Sequence, residues 1–255
     1  MSNSSLDDRL NRAAAVLRRV LADDRRVELG SGELLIDGVP YRFENGVLRL
    51  RRGDGYNASF ALQWKRFRLN QSDHVNGTRL TADRFARGTG WPLQGLEGEI
   101  ILEAGCGAGR FTRILAETGA TIVACDYSSA VDVSAEVNGG FENVIFLQAD
   151  ILDLPFRSGS FDRVFCQPFD TWVKRIPYLG VYLGSVVPCW NYQHTPLSAE
   201  QKRLWAIMDT FDALSPRFDK PATRGVLEGW FRDGGFAGSV VREGGNGLLE
   251  NGIAA

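Results

Sequence analysis

Leu6, Leu10, Ala13, Ala14, Leu17 and Leu21 recur at helical spacing with arginines between them, which predicts an amphipathic helix over Ser5 to Asp24. From Glu33 to Leu50 the period changes to two, and Asp37-Gly38 and Asn45-Gly46 interrupt the alternation as hairpin turns. Phe60 to Thr89 returns to a helical, basic pattern carrying Trp64, Phe67 and Phe85. Then come short apolar runs separated by helical stretches: Glu99 to Leu102, Thr121 to Cys125, Val144 to Gln148 and Phe161 to Cys166. Strands alternating with helices predict an α/β chain with a parallel, doubly wound sheet.

The first of these runs opens into Glu103-Ala-Gly-Cys-Gly-Ala-Gly-Arg110, followed by the helical pattern Phe111 to Thr118. Strand, glycine turn and helix in that order build a nucleotide-type site. Glycines at 105, 107 and 109 allow close backbone approach, and the free amides of the next helix face the ligand. The spacing is G-x-G-x-G with Arg110 where a dinucleotide fingerprint needs its third glycine, and Glu103 would repel a pyrophosphate. That argues against NAD. The second strand ends in Asp126, placed to accept hydrogen bonds from two ribose hydroxyls, and the third leads to Asp150-Ile151.

With these four motifs in order, the chain resembles the class I S-adenosylmethionine-dependent methyltransferases, in the broad UbiE-like, type 11 group. The resemblance runs from about Phe60 onward and is most specific from Ile100 to Gln167. It implies a Rossmann-like fold with S-adenosyl-L-methionine as cofactor. Gly105, Cys106, Gly107 and Gly109 would then bend around the amino-acid part of the cofactor, with Glu103 close to the loop and the bound cation. Asp126 would hold the ribose hydroxyls, Tyr127 would pack beside the adenine, Asp150 would accept from the adenine amino group, and Ile151 would line the ring. Taken singly, Glu103 or Asp150 could equally be a helix cap or a solvated strand end, and Cys106 reads as a small packing residue rather than a nucleophile.

The resemblance also implies three parts: a helix and hairpin segment over 1–59, a helical lead-in or lid over 60–96, and the cofactor-binding domain over 97–255 with a substrate cap around 168–220. The hairpin segment looks like the zinc-ribbon lead-in of some relatives. No cysteine precedes Cys106, so a structural zinc is excluded there by ligand count. The five arginines between 66 and 87 read as a solvated face, and His74 as a residue of a polar surface turn.

After Gln167 the chain departs from the family. A helix and the fifth strand of the usual order 3-2-1-4-5-7-6 are missing, which would leave unpaired backbone groups in the middle of the sheet. Tyr178 to Val187 is the apolar run that could fill the gap, as a strand or a helix. Gly238 to Arg242 and Gly247 to Glu250 read as a C-terminal hairpin.

Composition narrows the function. A net charge of −2 over 255 residues offers no basic field for nucleic acid or anionic lipid. The four cysteines stand far apart, with no C-x-x-C pair, as expected of reduced thiols in a cytoplasmic protein. Asp7, Asp8, Asp23 and Asp24 argue against a transit peptide, so the first helix is expected to pack on the domain or on a partner subunit, in a homodimer. Two functions follow. One is methyl transfer to a small, partly apolar acceptor under a Trp- and Tyr-rich cap, with Gln167 facing the cleft on the cofactor and substrate side and His194 as candidate base. The other is a degenerate cofactor-binding protein with a structural or regulatory role.

Overall fold

The computed structural model describes residues 3–51, 72–151, 153–166, 195–202, 204–205, 223–234, 236–244 and 247–254. Gln167, His194 and the run 178–187 lie outside the described residues, as does the lead-in from 60 to 71. The chain divides into two units, Met1–Arg68 with Pro92–Cys166, and Leu69–Trp91 with Gln167–Ala255. Among the described residues no helix is long and apolar enough to cross a membrane.

The first unit is built on an eight-stranded sheet. Its parallel part comprises β5 (Ile100–Ala104), β6 (Thr121–Asp126), β7 (Val144–Gln148) and β8 (Arg163–Cys166), in the spatial order β7-β6-β5-β8. That is the 3-2-1-4 portion of the expected order. All three ladders run in register, with Glu103 opposite Ala124 on one side and Phe165 on the other. Near-continuous apolar strands of this kind need cover on both faces.

One face is covered by α1 (Asn3–Val20), whose Leu10, Ala13, Ala14, Leu17 and Val20 join Ile100, Leu102, Val123, Cys125, Ile145 and Leu147 in a single core. The amphipathic stripe is thus satisfied within the domain; the Leu6 side chain lies outside the described residues. The helix stops at Val20, four residues before the sequence pattern ends. Asp23 and Asp24 would stand at the negative end of the helix dipole, and Arg25 instead closes a turn onto the Ala22 carbonyl at 2.9 Å. The opposite face of the sheet carries α4 (Arg110–Glu117) and α5 (Ala130–Asn138).

The alternating segment folds as anticipated. Strands β1 (Val27–Leu29), β2 (Glu33–Ile36), β3 (Val39–Glu44) and β4 (Val47–Arg49) are antiparallel neighbours. Asp37 and Asn45 adopt φ of 55°, and the glycines after them 76° and 81°. Two successive left-handed residues make each a type I′ turn, whose twist matches the flanking strands. Less expected is the fate of β4. It lies parallel to β7, Val47 opposite Phe146 and Arg49 opposite Gln148, so the ribbon extends the main sheet rather than standing before it. Val47 and Leu48 are both fully buried.

The second unit contains α2 (Asp73–Asn76), α3 (Leu80–Thr89), α6 (Arg224–Asp233) and the antiparallel pair β9 (Phe236–Gly244) and β10 (Gly247–Ala254). The C-terminal hairpin is therefore present, longer than read and in a two-stranded sheet of its own. His74 is exposed but sits in the helical turn α2 rather than a loop, with Nδ1 at 2.7 Å from the Ser72 hydroxyl. The reason is Asp73, which accepts from the Thr81 and Ala82 amides at 3.0 and 2.9 Å and so ties the turn to the start of α3.

Candidate active site

In an open parallel sheet, ligands bind beyond the carboxyl ends of the strands, where the strand order reverses. Here the reversal is at β5, which lies between β6 and β8 while its chain successor is β6. The glycine loop leaves that end. Gly105, Gly107 and Gly109 have φ of 81°, 52° and 84°, a region that side chains other than glycine rarely adopt. The amides of Gly105 and Cys106 both donate to the Cys125 carbonyl at 2.9 Å, which folds the loop back onto the next strand. At Gly105 a Cβ would meet open space. At Gly109 it would lie 2.2 Å from Asn138 Nδ2 and 2.3 Å from the Ser134 hydroxyl, so α5 closes directly on the loop. Asn138 Nδ2 donates to the Gly109 carbonyl at 2.9 Å and holds that contact.

Asp126 is the polar hub. Its Oδ2 accepts from the Gly107 amide at 2.8 Å, and its Oδ1 accepts from the amide and hydroxyl of Ser128 at 2.8 and 2.7 Å. These bonds use three of the roughly four acceptor positions of a carboxylate. The carboxylate therefore joins the tip of the glycine loop to the turn after β6.

Glu103 is only 2% exposed, and its Oε2 accepts from the Thr112 hydroxyl of α4 at 2.6 Å. Burial raises its pKa from 4.5 to about 8; the Thr112 bond opposes the rise and the nearby Asp126 charge adds to it. The carboxyl is thus neutral at pH 7 unless a cation comes to it. Cys106 is buried too, with its thiol pushed well above the ordinary range, first by burial and then by the charges of Asp126 and Glu103. A thiol held neutral is a packing group, not a nucleophile.

After β6, Tyr127 is half-buried. The guanidinium of Arg51 lies 3.7 Å from the centre of its ring, and Gln148 Nε2 donates to its carbonyl at 3.3 Å. After β7, Asp150 is half-buried and accepts at its carbonyl from the Asp153 amide at 3.0 Å, while Ile151 is 44% exposed. Glu103, the glycines, Cys106, Asp126, Tyr127, Asp150 and Ile151 thus follow three adjacent parallel strands at the same edge of the sheet.

Residues 102–178 match the family described as "Methyltransferase domain". Over that stretch the chain is similar to methyltransferase domains. Within it, 72 residues are 38% identical to phosphoethanolamine N-methyltransferase 1 of Arabidopsis thaliana, covering 27% of this chain and 15% of that protein. A stretch of 68 residues is 41% identical to demethylmenaquinone methyltransferase of Clavibacter sepedonicus, covering 26% of this chain and 28% of that one. The chain therefore spans well under a third of the relatives it matches. Among solved structures, an Aquifex aeolicus SAM dependent methyltransferase aligns with 79% of this chain and 100% of its own at 13% identity and a TM-score of 0.41. Phosphoethanolamine N-methyltransferase 1 of Haemonchus contortus covers 42% of this chain and 24% of its own at 24% identity and a TM-score of 0.33.

Several residues around the glycine loop were not among those the sequence singled out. Ser128 had a usable signal, since a serine two residues after an aspartate forms a local Asx turn. Thr112, Ser134 and Asn138 are polar residues on the buried sides of two helices, and each finds its partner across the loop or the other helix. Arg51 has no local signal at all, because its place depends on β4 pairing with β7.

Proposed function

We propose that the protein transfers a methyl group from S-adenosyl-L-methionine to a small-molecule acceptor. The observation that carries this is the continuous polar edge formed by the left-handed glycine loop and Asp126 at the ends of adjacent parallel strands. The donor set fits the cofactor. The open space at Gly105 leaves room for its amino-acid part, a carboxylate stands where ribose hydroxyls would donate, and a buried carboxyl lies ready to answer a cation. Asp126 would exchange its bond to the Gly107 amide for a ribose hydroxyl, which frees that amide toward the ligand. Tyr127 and Ile151 would line the adenine, and Asp150 would accept from its amino group.

When bound, the cofactor supplies a sulfonium methyl that is already a strong electrophile. The chain's part is then to hold the acceptor in line with that methyl and to keep water away, so most of the rate comes from positioning. Gln167, next after β8, is the proposed substrate-side residue, and His194 the proposed base for an oxygen acceptor. The names of the matched relatives, phosphoethanolamine and demethylmenaquinone methyltransferases, support a small acceptor, charged or partly apolar. The slightly acidic balance, and the unpaired Cys106, Cys125 and Cys166, support a cytoplasmic role without nucleic-acid or membrane partners.

Calorimetric titration with S-adenosylmethionine and S-adenosylhomocysteine tests the cofactor, with Asp126→Ala as control. Binding that disappears in the variant supports the reading, and no binding by folded wild-type protein sinks it. Turnover of phosphoethanolamine or a quinol acceptor then separates the enzyme from a cofactor-binding protein without catalysis.

A further inference from the structure

The N-terminal ribbon does more than lengthen the sheet. Because β4 runs parallel to β7, its carboxyl end reaches the same edge as the glycine loop. The amides of Leu50 and Arg51 both donate to the Gln148 carbonyl, at 3.0 and 3.1 Å, continuing the pairing past the last strand residue. Arg49 forms an ion pair with Asp132 of α5 and donates to Gln148 Oε1 at 3.0 Å. Gln148 Nε2 donates in turn to the Tyr127 carbonyl at 3.3 Å, and Arg51 Nη1 approaches the same carbonyl at 3.4 Å. The guanidinium plane of Arg51 then covers the Tyr127 ring. Arg49, through Gln148, and Arg51, two residues past the end of β4, thus hold the backbone and the ring of the residue that follows Asp126.

We propose that Arg51 is a positioning residue for cofactor binding, acting through Tyr127. The proposal rests on the cofactor reading above. A tyrosine on a strand-to-helix turn has several rotamers open to it, and a cation seated on one face selects one of them. The ring then presents its other face and edge toward the adenosine position in a fixed orientation, so the ordering has been completed before the ligand arrives. The segment that reads as a lead-in is, on this view, part of the cofactor site.

The test is a double-mutant cycle on the full chain, read as S-adenosylhomocysteine affinity, with Arg51→Ala, Tyr127→Leu, the double variant, and Arg51→Lys. Arg51→Ala should weaken binding about fivefold, the size of one partly desolvated cation–π contact. Arg51→Lys should recover part of the loss, since an ammonium can still sit over the ring. The double variant should bind no worse than Tyr127→Leu alone. Unchanged affinity in Arg51→Ala, or losses that multiply in the double variant, would overturn the proposal while leaving the cofactor reading intact. If wild type fails to bind, or Asp126→Ala binds equally well, the cofactor reading falls and this proposal with it. Thermal melting guards against a folding defect: should Arg51→Ala unfold, the Arg51→Lys arm and its own cycle with Tyr127→Leu decide.

Discussion

Glu103→Gln isolates the cost of a buried acid in β5, beside the glycine loop. Glutamine keeps the shape and can still accept from Thr112, but it cannot ionise. In the folded protein burial holds the Glu103 pKa at about 8 against an ordinary value of 4.5, so between those two pH values the folded state binds a proton that the unfolded state has lost. Stability therefore falls as pH rises through that window and levels off above it. At ~1.4 kcal/mol per pH unit, the full fall is about 5 kcal/mol, of which about 3 kcal/mol is felt by pH 7. That is a large part of a typical domain's stability of roughly 5–15 kcal/mol. Urea unfolding of wild type and Glu103→Gln across pH 4.5 to 8.5 reads it directly. The two proteins should coincide at the acid end, and the glutamine variant should gain several kcal/mol over wild type by the alkaline end. A gap that stays constant across the window would refute the reasoning, because it would mean that folding does not change the acidity of this carboxyl.

Two further substitutions probe the loop and its support. Gly109→Ala places a methyl about 2.2 Å from Asn138 Nδ2 at a φ of 84°, so it should destabilise the fold by about 2 kcal/mol or more and abolish cofactor binding, as melting and calorimetry would show. A variant that binds normally would mean that α5 can move off the loop at little cost. Leu17→Ala removes a fully buried side chain from the middle of α1 and should lower urea stability by about 2–5 kcal/mol. A loss under about 1 kcal/mol would mean that α1 is not an integral layer of the domain.

Much of the candidate site's geometry was legible because it is local. The three glycines, the acid before them and the acid at the end of the next strand sit at fixed offsets from turns that the backbone itself demands. The bounds of strand β7 match the sequence pattern to the residue, since four apolar, β-favouring positions closed by Gln148 are flanked by turn residues. What lay beyond reach was long-range. Nothing in Val47 to Arg51 says that β4, still paired with β3, will also lie against β7, and hence nothing says that Arg51 will meet Tyr127, which stands 76 residues later in the chain. Asn138 gave no warning either, because a polar residue near the end of an amphipathic helix looks solvent-facing until its neighbour across the gap is known.

By itself the sequence determined the periods and the turns: a 3.6-residue stripe for α1, left-handed Asp-Gly and Asn-Gly corners for the ribbon, and a G-x-G-x-G loop between strand and helix. These follow from steric limits within a few residues of chain, where glycine's freedom and side-chain alternation leave little choice. The tertiary structure decided which edges joined and which charges were buried. The ribbon's place beside β7 and the neutral state of Glu103 depend on surfaces and dielectric surroundings that exist only once distant segments have packed together.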